Sequence, residues 1–104
     1  MFAIAKTPDP PYYAVIAPAE LSSDVAGYPE TALRLMELAR DIDGFLGIET
    51  CLHGRFSLAV SYWQSLEAIG RWRRQAEHLY AKDRGKTQWF DAYLTRIAKV
   101  ERVY

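Results

Sequence analysis

The chain contains no asparagine and only one cysteine, Cys51. A single cysteine excludes an intrachain disulfide and fits a reducing, cytoplasmic setting better than a secreted one. Only two histidines occur, His53 and His78, and no metal-ligand motif is found. No phosphate-binding loop and no nucleophile motif is present. The 13 basic residues are matched by 13 acidic ones. That balance gives no global drive toward nucleic acid or an anionic membrane. No apolar run approaches the ~20 residues that a membrane-spanning helix needs. The opening MFAIAKTPDPP lacks the charged start and long apolar core of a secretion signal. With 104 residues, half of them hydrophobic, the prior is one ordinary domain.

Pro8, Pro10 and Pro11 predict an extended, mobile leader over residues 1–11, followed by the domain at 12–104. Tyr12 to Ala17 is aromatic and β-branched and predicts a first strand. Pro18 to Ala26 predicts a loop. Ala32, Leu35, Met36, Ala39 and Ile42 recur at helical spacing, and Pro29 suits a first helical turn, so a helix is expected to Asp41. Asp43-Gly44 is its stop. Phe45 to Cys51 and Phe56 to Trp63 predict two strands around the turn His53-Gly54-Arg55. Ser65 is the expected N-cap of a second helix reaching Ala81, with Glu67 in its first turn. Asp83-Arg84-Gly85 breaks that helix. Thr87 to Asp91 suggests a short helical turn, and Leu94 to Tyr104 the last strand.

The order β-α-β-β-α-β predicts an α+β, ferredoxin-like fold with a four-stranded antiparallel sheet and both helices on one face. In the third strand Phe56, Leu58, Val60 and Tyr62 share one side, and Ser57, Ala59, Ser61 and Trp63 the other. Both sides carry apolar bulk, yet two helices cover only one. A homodimer packed sheet against sheet removes the remaining patch.

The segments YYAVI, GYPETALRLMELA, GFLGIET, VSYWQSLEAIGRW and EHLYAKDRGKTQWFDAYLTRIAKVERVY together resemble the antibiotic biosynthesis monooxygenase (ABM) family, from about Tyr12 to Tyr104. The resemblance implies a dimeric α+β barrel without a cofactor, acting on a small aromatic or polyketide-like substrate. The same family pattern also covers proteins without a known reaction, so the alternative is a non-catalytic dimer that binds a small ligand or serves in stress. The turn CLHGRFSLAV departs from the family pattern: it is one residue shorter, with Ser57 where a glycine is expected. The haem-degrading branch, similar in topology, uses an Asn, Trp and His set. Trp72 matches its tryptophan, but Lys82 stands at the histidine position and the chain has no asparagine. That route is not expected here.

His78 is the candidate acid–base residue, because histidine titrates near neutral pH. On a helical wheel it lies with Arg71, Arg74 and Gln75, opposite the face of Leu66, Ile69, Trp72, Ala76, Leu79 and Tyr80. The plainer alternative is a solvated or interface histidine. Trp63, Trp72 and Trp89 are candidates for a flat aromatic pocket, with core packing as the alternative, strongest for Trp72. Trp63 is expected to be the more open, because its strand side otherwise carries small residues. Arg73 is the candidate for a substrate anion, against a solvated helix face. Tyr62 is a further candidate whose hydroxyl could end in the pocket. His53 reads as an exposed turn residue and Cys51 as a small buried hydrophobe.

Overall fold

A computed structural model describes residues 4–83 and 88–104, of which 81–83 as backbone only. Its elements are β1 (Tyr12–Leu21), α1 (Tyr28–Asp41), β2 (Phe45–His53), β3 (Phe56–Trp63), α2 (Leu66–Asp83), β4 (Phe90–Tyr93) and β5 (Arg96–Val100). All strand pairings are antiparallel, in the order β2-β3-β1, with β4 and β5 both on the far edge of β1. This is the expected ferredoxin-like α+β arrangement.

β2 runs two residues past the expected Cys51, to His53, and the larger departures from expectation lie in β1 and the final strand. β1 does not stop at Ala17 but runs through Pro18 to Leu21. The final strand is split into β4 and β5, which share one register along β1, with Ala19 opposite Tyr93 and Ile16 opposite Arg96. The gap falls opposite Pro18. Its carbonyl accepts a hydrogen bond from the Leu94 N–H at 3.1 Å, but proline has no N–H to return. The ladder therefore lapses there, on the edge side, where a proline is tolerated. Residues 101–104 form no ladder. Of the break expected at Asp83-Arg84-Gly85, Arg84 and Gly85 lie outside the described residues, as does Thr87; Gln88 and Trp89 are helical.

The helices form for local reasons. The Ser65 hydroxyl accepts from the Ala68 N–H at 3.1 Å, capping α2 as its sequence suggests. α1 starts after Gly27 with no side-chain cap. It ends at Ile42, whose N–H reaches the Ala39 carbonyl. The turn that follows closes with the Phe45 N–H on the Ile42 carbonyl, and its third residue, Gly44, has φ +99°. A positive φ at that position requires glycine. The same glycine is needed for packing, since a Cβ there would stand 2.9 Å from the Ala68 Cβ of α2.

The strand registers settle which face the helices cover. Tyr13 pairs with Trp63, Val15 with Ser61, Ala17 with Ala59 and Ala19 with Ser57. Residues directly opposite share a face. Val15 and Trp63 pack with Ala39, Ala68 and Ile69, so this row lies beneath the helices. A second cluster, Leu35, Ala76 and Leu79, joins α1 to α2, which run antiparallel. The other face carries Ile16, Pro18, Leu58 and Val60, with Phe56 and Leu94 each 48% exposed. Among the described residues, 4–11 cover one end of this face. There the Ala5 N–H donates to the Glu49 carboxylate at 3.0 Å and the Thr7 hydroxyl to Tyr12 at 2.9 Å. Gly47 leaves room for the crossing chain, as a Cβ on it would meet Ala5 at 2.9 Å.

The two turn glycines give a paired prediction. Gly44→Ala combines a strained φ with a clash against Ala68, and should cost about 2–4 kcal/mol. Gly54 also has positive φ, +58°, but a Cβ there meets nothing within 4 Å, so Gly54→Ala should cost only about 1 kcal/mol. Urea unfolding of the two variants measures the difference.

Candidate functional site

The structure separates the residues that the sequence singled out. Trp63 ends β3 on the helix side and is completely buried. Its indole N–H donates to the Ser61 hydroxyl at 2.8 Å. Its ring meets Phe45 edge-on at 5.2 Å and Trp72 at 5.6 Å. The expectation that Trp63 is the open tryptophan is thus corrected. The small residues beside it lie further along its row, and α2 supplies Ala68 and Ile69 to close the space over the ring. Trp72 is half-buried between the two core clusters, and its N–H reaches the Leu35 carbonyl at 3.3 Å. Both rings hold the helix layer to the sheet.

His78 is exposed on α2. It lines a groove of about 390 Å³ between the helices, with Arg34 and Leu38 of α1 and Arg74, Gln75 and Leu79 of α2. Trp63 is not part of that lining. Arg73 points elsewhere and pairs with Glu77 at 3.5 Å, both side chains exposed. An exposed pair of this kind contributes little. Tyr62 is on the face away from the helices, where its hydroxyl donates to the Glu49 carboxylate at 2.5 Å. Its pKa is pushed up to about 12 by burial and then by that hydrogen bond and its charge. Cys51, expected to be buried, is exposed on the same face opposite Leu58. β2 and β3 are the free hairpin there, and the described chain places nothing over it. His53 is exposed at the hairpin end, as its turn position suggests. The side chain of Lys82 lies outside the described residues. Among those described, no group of three or more histidine, cysteine or carboxylate side chains is placed to hold a metal. No helix among them is long and apolar enough to cross a membrane.

Trp89 leads to an assembly that the sequence did not single out. It is almost fully buried, and its N–H donates to the Ala26 carbonyl at 2.8 Å. Tyr28 and Tyr80 meet its ring at 5.6 and 6.2 Å. Phe90 meets Tyr28, Tyr80 and Tyr93 at 5.5–6.1 Å. Tyr93 stands opposite Ala19, so this aromatic cluster flanks the helix-facing row of the sheet. Burial, followed by the neighbouring Tyr28 and Tyr93, pushes the Tyr80 hydroxyl up to about 12. Between this cluster and Trp63 lie four small residues in two facing pairs, Ala17 with Ala59 and Ala19 with Ser57. All four are only half-buried although they face the helix layer. They form a shallow floor with large aromatic groups at either end. The small residues were legible in the sequence. The aromatic wall was not, because it depends on β4 beginning at Phe90.

Architecture of this kind is shared with proteins of known structure. SnoaB of Streptomyces nogalater, a cofactor-independent oxygenase solved as a point mutant, superposes with a TM-score of 0.71 over 88% of this chain and 95% of its own, at 10% identity. A proposed antibiotic biosynthesis monooxygenase from Nitrosomonas europaea gives 0.69 over 89% and 91%, at 12% identity. The chain is thus an ABM-like α+β domain by fold. In sequence it is 48% identical over 101 residues to YqjZ of Bacillus subtilis, described as uncharacterized, covering 95% of this chain and 88% of that protein. It belongs to the family of YqjZ. No family model matches the chain.

Structural and exposed positions should respond differently to substitution. Trp63→Ala should cost about 3–5 kcal/mol in urea unfolding, as for other buried aromatic truncations. His78→Ala should stay within about 0.5 kcal/mol of the parent. Alkali gives a second check. Tyr62 and Tyr80 hold their protons more tightly in the folded chain, so their contribution to stability is complete below pH 10. It is lost as pH rises from 10 through about 12. Tyr80→Phe should flatten that loss in denaturation midpoints measured from pH 9 to 12.

Proposed function

We propose that this protein is a monooxygenase-like homodimer that takes a small, flat aromatic or polyketide-like molecule onto the Ala17–Ala19–Ser57–Ala59 floor and oxidises it without a cofactor. The observation that carries this is the floor itself. Small, half-buried side chains on the helix-facing side offer a planar ring a flat surface, and the aromatic residues at each end suit an apolar ligand. The fold shared with the oxygenase SnoaB supports the reaction class. In this chemistry an electron-rich phenolate reacts directly with oxygen. For an anthrone, the methylene carbon becomes a carbonyl: one oxygen atom enters the carbon, the other leaves as water, and the substrate supplies all four electrons. The protein contributes orientation and exclusion of water. Tyr80, kept protonated at neutral pH, acts beside the floor as a neutral group and not as a base. His78 is not assigned the proton transfer, because it lies in the outer groove. The substrate's own phenol supplies the ionisable group.

One observation favours a second reading, ligand binding without catalysis. The helix-facing rows of β1, β2 and β3 carry no histidine or carboxylate. Oxygen uptake with a panel of hydroquinones and anthrones separates the two. Catalysis predicts uptake by the parent and by His78→Ala, with a loss of tenfold or more in Ala59→Phe, which fills the floor. Saturable binding without uptake establishes the second reading.

Dimerisation through the open sheet face follows from its apolar surface of Ile16, Pro18, Phe56, Leu58, Val60 and Leu94. Sedimentation at micromolar concentration should give a dimer, and Leu58→Arg a monomer. Cys51 lies on this face, so its reaction with a thiol reagent should slow as protein concentration rises.

A further inference from the structure

We propose that the outer groove between α1 and α2 is a binding site for a small aromatic carboxylate, distinct from the floor beneath the helices. Its sides are built from helical neighbours. Arg34 and Leu38 are four residues apart on α1, as are Arg74 and His78, and Gln75 and Leu79, on α2. That spacing stacks each pair on one helix face, so both helices present a polar group and a leucine to the same groove.

The lining is polar at its rim and apolar within. Leu79 is almost fully buried and Leu38 half-buried, which gives an apolar bed. Arg34, Arg74, His78 and Gln75 supply hydrogen-bond donors, and among the described residues no carboxylate lines the groove. Among the described residues neither arginine has an ion pair, whereas the neighbouring Arg73 is engaged by Glu77. Within the described lining the two arginines are matched by no carboxylate, while Glu30 stands with Arg34 in the adjoining groove. The guanidinium fork matches a carboxylate in plane and spacing. A volume of about 390 Å³ admits one or two fused rings. The occupant that meets all three conditions has a planar apolar body of that size and one carboxylate. His78 then serves as a ligand-facing donor at the rim, which accounts for a histidine on the solvent side of α2.

The probe is 2-naphthoate, titrated calorimetrically into the full chain, with 2-naphthylmethanol as the uncharged control. Binding of naphthoate but not of the alcohol is expected, weakening as salt is raised. Arg34→Gln and Arg74→Gln should each weaken it tenfold or more. Ala59→Phe should leave it unchanged. All three positions are tested on protein whose far-ultraviolet circular dichroism matches the parent. Absence of naphthoate binding, equal binding of the alcohol, or full affinity in the Arg34→Gln/Arg74→Gln double variant overturns the proposal. Loss of binding in Ala59→Phe alone also overturns it, because it places the ligand on the floor. The floor is tested separately by oxygen uptake, so either site can fail without the other.

Discussion

The helix layer is held to the sheet by Trp63. Its ring fills the end of a row whose other members, Ser61, Ala59 and Ser57, are too small to support a helix by themselves. Phe45, Trp72, Ala68 and Ile69 close around it. Burying an indole of this size contributes several kcal/mol, of the order of 3–5 by comparison with truncation at other cores. The Ser61 hydroxyl satisfies its N–H, so the burial carries no unpaired polar group. Gly44 is drawn into the same constraint, since α2 approaches the turn so closely that only glycine fits beside Ala68. With the helices anchored at one end of the row, the opposite end is left half-covered. The floor is therefore a consequence of where the largest side chain stands.

The second face is organised by polar contacts at one end and apolar surface at the other. Glu49 accepts from Tyr62 and from the Ala5 N–H, and Tyr12 meets Tyr62 edge-on at 5.9 Å. The leader crosses above Gly47 and covers this end, so Tyr12 is buried although it points away from the helices. From Ile16 to Leu94 nothing in the described chain lies over the sheet. The proposed dimer thus has its contact area biased toward the hairpin and the β4–β5 edge.

Much of the fold was legible because it rests on local patterns. The Ser65 cap, the Gly44 stop and the alternation in β3 each act within a few residues. The site was harder. Trp63 looked open because its nearest strand neighbours are small, and a strand pattern does not show which helix residue descends onto a given position. Cys51 looked buried because its residue type favours burial, but nothing in the described chain lies over its side of the hairpin end. The break opposite Pro18 is visible only once β1 is known to continue through it, and the aromatic wall around Trp89 depends on that edge. His78 was placed correctly on the polar side of α2. Its groove neighbours Arg34 and Leu38 come from α1, forty residues and more away, and no spacing within α2 reveals them.

The central claim is that a planar ligand lies on the small-residue floor. Carbon-13 labelling of the alanine methyl groups tests it directly, with an anthrone added in the absence of oxygen. Ring-current shifts are expected at Ala17, Ala19 and Ala59, with Ala92 and Ala98 on the opposite face unmoved. Saturating shifts at Ala92 or Ala98 with the floor methyls unchanged would contradict the claim.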